Sequence, residues 1–135
     1  MSYIFSFLTA LLLTCNVFGG FWSKSSPSND FDTTEYYISL QIPTNPSTGH
    51  LVTGNIATLT LQAITNLEHQ LTLLGMSLHN VVKTTVYLTD INTITPMTAA
   101  YKTRFNGLNH PAQTVIQVGA LPDAATVGID CIARK

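Results

Sequence analysis

The chain has 135 residues, of which 45% are hydrophobic and 10% charged, with a formal net charge of −1. That length fits one domain, and at this size folding buries about two-thirds of the surface the unfolded chain exposes. Six Lys and Arg in all, with only Lys102/Arg104 and Arg134/Lys135 close together, exclude a nucleic-acid binder that clusters cations against phosphates. So low a charged fraction, against roughly 25% in an average soluble domain, implies surface hidden in an oligomer or a membrane-directed segment, and both are expected here.

Residues 1–22 form an apolar leader. Ile4, Phe5, Phe7, Leu8, Leu11, Leu12, Leu13, Val17, Phe18 and Phe21 carry it, and no acidic or basic residue precedes Lys24. Three readings stay open. A signal peptide would use Val17-Phe18-Gly19 near its cleavage site but lacks a basic n-region. A membrane anchor needs about 20 apolar residues, and Thr9, Thr14 and Asn16 interrupt this run. A misassigned start or a disrupted N-terminus is the third. The signal-peptide reading implies export, periplasmic or secreted; otherwise the protein is cytoplasmic, and membrane contact comes only through the leader. Cleavage would leave Cys131 as the lone thiol, because Cys15 lies in the leader. Cys131 reads as a buried small hydrophobe in a strand.

Residues 23–35 read as a polar linker of turn formers, Ser23 to Asp30, and the domain proper spans 36–135. Tyr36 to Ile42 is rich in β formers and stops at Pro43, so it is expected as a strand. Pro43 to Gly49 is a turn. Thr60, Ile64, Leu67, Leu71 and Leu74 recur at helical spacing, predicting a helix over Thr58–Leu74 that ends at Gly75. Val81–Thr89 alternates as a strand: Val82, Thr84, Val86 and Leu88 on one face, Lys83, Thr85 and Tyr87 on the other. Thr95 as N-cap and Pro96 at the first position open a second helix, continued by Met97, Ala100, Tyr101 and Phe105. Two closing strands follow, Gln113–Val118 and Ala125–Ala133. The first crossover predicts a parallel pair and the chain end predicts a hairpin. Together they make a two-layer α+β domain, a mixed β-sheet with two helices on one face. The other sheet face, with Tyr87 and Gln113, is the expected oligomer surface.

Chemistry-bearing residues are sparse. His50, His69, His79 and His110 have no metal-ligand spacing, there is no Gly-rich phosphate loop, and no metal or cofactor is expected. Asp130 is the exception: a carboxylate between Ile129 and Cys131, in an apolar strand, is costly unless it is paired or lies in a polar cleft.

Five segments, in order from Tyr36 to Ala133, carry a resemblance to a known family. Ser39-Leu40-Gln41-Ile42-Pro43 resembles Ser-Gly-Gln-Ile-Pro, and Asn45-Pro46-Ser47-Thr48-Gly49 the turn after it. Val81 to Asp90 is nearly a consensus strand. His110-Pro111-Ala112-Gln113-Thr114 resembles a Pro-Ala-Arg-Ser/Thr segment. Val127 to Ala133 resembles the closing Ile-Glu-Ile-Glu-Ala-Ile-Ala. The sequence thus resembles the YjgF/RidA family.

The resemblance implies a fold like chorismate mutase and a homotrimer with small-carboxylate clefts between subunits. The activity it implies is hydrolysis of reactive 2-imino and enamino acids, such as 2-aminoacrylate, to keto acids and ammonia. Carried over by position, Asp130 stands for the Glu that orients the attacking water. Gln113 replaces the Arg that clamps the substrate carboxylate. Leu40 falls on the cleft Gly, Val115 on a Cys and Thr98 on an Asn of the second helix; Tyr87 joins these as a substrate-binding position. The expected function is an imine or enamine deaminase with a degenerate site, acting on a small molecule. The alternative is a non-catalytic trimer that binds a small ligand or a partner. No nucleic acid is expected.

Overall fold

The computed structural model describes residues 22–25, 33–107 and 110–135; the leader through residue 21 lies outside them. The elements are β1 (Trp22–Ser25), β2 (Glu35–Gln41), α1 (Ile56–Leu73), β3 (Val81–Leu88), α2 (Ile94–Arg104), β4 (Ala112–Gln117) and β5 (Val127–Arg134). They build a five-stranded sheet in the order β1-β2-β5-β3-β4. Only β3 and β4 run parallel; the other neighbours are antiparallel. The expected two-layer α+β architecture is present, with both helices on one sheet face. Among the described residues no helix is long and apolar enough to cross a membrane.

Three topological expectations are corrected. The reading of 23–35 as linker fails at its start, because Trp22–Ser25 pairs with β2 as the edge strand. The parallel pair comes from the second crossover, β3-α2-β4, and not from the first. The chain end is no hairpin: β5 steps over β3 and inserts between β2 and β3. The signal for that insertion lies in β5 itself. The strand is well buried where it meets the helices, with Val127, Gly128, Ile129, Cys131 and Ala133 all buried.

The helices form for local reasons. Asn55 caps α1, its side-chain oxygen accepting from the Thr58 amide at 2.9 Å, which satisfies one of the orphan first-turn donors. Gly75 ends the helix in a left-handed conformation, φ 69°. Its amide reaches the Thr72 carbonyl and the Met76 amide the Leu71 carbonyl, both at 2.9 Å, a Schellman stop that favours Gly. Helix α2 begins at Ile94, so Thr95 is not its N-cap. Pro96 still falls in the first turn, where a missing N–H removes no intrahelical bond.

The inner sheet face meets the helices in one core. Val86, Leu88, Val127, Ile129, Cys131 and Ala133 pack against Ile64, Leu67, Leu71, Met97, Tyr101 and Phe105. Val82 does not join them as the alternation predicted. A bulge between Val81 and Lys83 puts Val81 into the core and leaves Val82 38% exposed. Thr84 and Tyr101 share a 2.8 Å hydrogen bond inside the core, and the Glu68–Arg104 ion pair ties α1 to α2 at the surface. Cys131 is a free, buried thiol. Burial, then the nearby Asp130 charge, pushes its pKa up to about 12, so it is a poor nucleophile.

Leu67 is fully buried at the centre of the α1 stripe. Leu67→Ala is therefore expected to lower stability by about 2–5 kcal/mol, read as a lower urea midpoint at unchanged slope. A change within about 0.5 kcal/mol, typical of surface positions, would contradict this packing.

Candidate functional site

The outer sheet face, away from the helices, carries the chemistry. On β3 it presents Lys83, Thr85 and Tyr87, which stand opposite Ile132, Asp130 and Gly128 of β5. Alternation along β5 sends Asp130 outward while Ile129 and Cys131 go into the core. A carboxylate in this central strand is thereby spared full burial. Tyr87 stabilises it further, its hydroxyl donating to Asp130 Oδ2 at 2.8 Å.

Strand β2 closes the other flank of Asp130. Ile38 pairs with Cys131 and Gln41 with Ile129, so Ser39 and Leu40 together face the single residue Asp130. This bulge turns Leu40 over the neighbouring Gly128. A Cβ added at Gly128 would lie 2.6 Å from Leu40 Cδ1 and 3.6 Å from the Gln41 carbonyl oxygen, and 2.6 Å is too close for carbon against carbon. Leu40 and Gly128 thus form an interlocked pair. The sequence motif that Val127 to Ala133 resembles has Glu at the positions of both Gly128 and Asp130, and that of Ser39 to Pro43 has Gly where Leu40 stands.

A depression of about 370 Å³ lies around Asp130, lined by Tyr37, Ser39, Lys83, Thr85 and Ile132 among others. A second cavity of about 460 Å³ opens at the sheet end beyond Leu40, between the loop after β2, α1 and the turn at Pro122–Asp123. Asn66 holds that loop, its Nδ2 donating to the carbonyls of Ile42 at 3.0 Å and Thr44 at 2.8 Å. Among the described residues no group of three or more His, Cys, Asp or Glu gathers as a metal site.

The sequence-derived candidates divide accordingly. Asp130 and Tyr87 are in direct contact, and Leu40 borders them through the bulge. Gln113 and Val115 are not with them. In the parallel β3–β4 pair Gln113 stands beside Thr84 and Val115 beside Val86, on the helix-facing side. Gln113 therefore does not share a face with Tyr87 as expected; it is exposed on an edge strand, and Val115 packs against the core. Thr98 is half-buried on α2, in the opposite layer, and lines neither cavity. Ser39, Lys83 and Thr85 were not singled out from the sequence. For the last two the signal existed, since alternation already put them on the Tyr87 face.

Comparisons with known proteins bear on the fold and the family. The family model described as Endoribonuclease L-PSP matches residues 32–135. A 2-iminobutanoate/2-iminopropanoate deaminase of Rattus norvegicus is 45% identical over 97 residues, covering 72% of this chain and 70% of that protein. Among solved structures, the YjgF gene product of E. coli superposes with TM-score 0.70 at 28% identity, covering 82% of this chain and 84% of that one. E. coli TdcF with bound serine superposes with TM-score 0.72 at 25% identity, covering 82% and 90%. The fold, a mixed sheet with two helices on one face, is that of the YjgF-like proteins, and the chain belongs to the YjgF/RidA family.

Tyr87 makes the site readable in solution. Its hydrogen bond to Asp130, then burial and the Asp130 charge, raises its pKa above the ordinary phenol value. Burial does the same to Tyr101. A raised phenol contributes stability that is fully present below the unfolded value of about 10 and is lost as pH rises through the folded value. Spectrophotometric titration should show late-ionising phenols; Tyr87→Phe and Tyr101→Phe should each remove one, and Asp130→Asn should bring Tyr87 back toward the ordinary range. An unchanged curve in Asp130→Asn would mean the contact does not form.

Proposed function

We propose that this protein is a RidA-type imine and enamine deaminase whose carboxylate clamp is weakened. The observation that carries the reading is Asp130, held by Tyr87 on an open sheet face, in a chain of the imine deaminase family. In the proposed reaction Asp130 accepts a proton from water as the water oxygen bonds to the iminium carbon. The proton on Asp130 passes to the adduct nitrogen, the carbon–nitrogen bond breaks to release ammonia, and the adduct hydroxyl gives its proton back to Asp130 as the keto C=O forms, the proton then leaving to solvent. Each turnover consumes one water and needs no oxidant or reductant.

The weakened clamp rests on Gln113. A charge-assisted bidentate pair is roughly twice as strong as neutral hydrogen bonds, and Gln offers only amide donors and one acceptor. Its place on an exposed edge strand, on the face opposite Asp130, means that it meets an Asp130 site only across subunits. We therefore also propose a homotrimer, supported by Ile116 and Tyr37, 42% and 39% exposed. Gln113 and Leu40 favour a second reading, a non-catalytic family member that binds a small ligand in the same cleft.

Two measurements test this. Loss of a charged contact costs about 2–5 kcal/mol, at least tens-fold at about 1.4 kcal/mol per tenfold. Ammonia release from enzymatically generated 2-aminoacrylate should be slow, faster in Gln113→Arg, and faster again with Leu40→Gly added. Rates matching an Arg-bearing homologue in the unaltered protein would remove the weakened clamp; no turnover in any variant would favour the non-catalytic reading. Sedimentation equilibrium should give about three times the chain mass, and a monomer at micromolar concentration would contradict the trimer.

A further inference from the structure

The cavity of about 460 Å³ at the sheet end serves no step of the proposed reaction, and it shares no lining residue with the depression around Asp130. Two buried carboxamides stand in its wall, Gln41 at the end of β2 and Gln70 on α1, 4% and 7% exposed. Asn66, one helical turn before Gln70, is engaged at both ends of its amide. Its Nδ2 bonds two loop carbonyls, and its Oδ1 accepts from Gln62 Nε2 at 2.9 Å. Gln70 is the opposite case, since its carboxamide makes no hydrogen bond among the described residues. Gln41 donates from Nε2 to the Ser39 carbonyl at 3.0 Å, and its Oε1 has no partner among those residues. No fully enclosed side-chain nitrogen or oxygen goes unpartnered among them, so these amide atoms border open space, and that space is the cavity. A polar group this buried normally has a partner, and leaving it without one costs stability.

We infer that this cavity is a second binding site, separate from the Asp130 face, for an uncharged planar ligand with an amide-type edge, a donor beside an acceptor. A carboxamide carries both kinds of group side by side, and it forms two hydrogen bonds with a partner that presents the complementary couple, as Gln does with an adenine edge. Leu40, Ile42, Pro46 and Pro122 in the same lining give a ring its apolar surface. The charges of the lining disfavour ions. No Lys or Arg is among its described residues, so a carboxylate or phosphate would lose hydration against neutral amides. The ionisable residues of the lining, His69 and Asp123, are both exposed, so neither is a buried counter-charge. Asn66 holds the loop wall in place, and the volume is within the roughly 300–1,000 Å³ of small-molecule sites. The inference does not depend on the deaminase reading.

Benzamide, benzoate and benzamidine share one ring and differ in charge, so NMR titration of the full chain with each probe tests the site. Benzamide should shift the Gln70 side-chain amide signals saturably, and the two ions should bind about tenfold or more weakly than it does. Gln70→Leu should weaken benzamide about tenfold or more. Its Tm should equal or exceed that of the unaltered protein, because the change removes an unpartnered polar group from a buried place. Gln70→Met repeats both measurements with an unbranched side chain. No saturable benzamide shift, equal binding of benzoate, or undiminished benzamide binding in the folded variants would overturn the site. A lowered Tm in both variants would give Gln70 a structural role and overturn it too. The deaminase reading is tested apart: ammonia release from 2-aminoacrylate should be the same in Gln70→Leu as in the unaltered protein, and a changed rate would make the cavity part of the deaminase cleft and overturn a separate site.

Discussion

A carboxylate in the middle strand of a sheet has to be solvated or paired, and the placement of Asp130 answers that demand from two directions. Strand alternation turns it to the face the helices do not cover, and the Tyr87 hydroxyl binds one of its oxygens at 2.8 Å. Much of the architecture follows from this. Strand β5 can be central, with β2 and β3 on its edges, because its inward residues are apolar and its one charged central residue looks out. The same pair places a held carboxylate in the lining of a depression on that face.

Two residues pack against each other beside that carboxylate. Leu40 at the β2 bulge and Gly128 on β5 occupy a volume that admits one side chain and not two. With Leu40 in this rotamer, a larger residue at position 128 would require the Leu40 side chain to move aside. Asp130 is the one carboxylate in the lining of the depression.

The elements were legible in the sequence where periodicity was strong and self-contained. The α1 stripe of Ile64, Leu67 and Leu71, the Gly75 stop and the β3 alternation are local patterns, and each appears in the structure within a residue or two. The strand pairing was not legible, because it depends on partners far along the chain. The segment before β5 contains Asp123 and Ala124 in the left-handed region, φ 56° and 58°. Asp123 is a common turn former, but Ala124 does not announce a left-handed residue, and neither tells where the next strand will pair. Misreading the pairing carried Gln113 to the wrong face: its orientation is set by register with β3, which no single-strand pattern encodes. Asp130 was legible for a physical reason, since a charge inside an apolar strand needs an explanation wherever the strand sits.

The central claim is that Asp130 is the carboxylate at the ligand site. It is tested most directly by following the side-chain carboxyl carbons of the aspartates by NMR during a titration with L-serine. The account predicts a saturable shift of the Asp130 resonance, with Asp90 on its exposed turn unmoved. An Asp130 resonance that stays fixed while serine binds would contradict it.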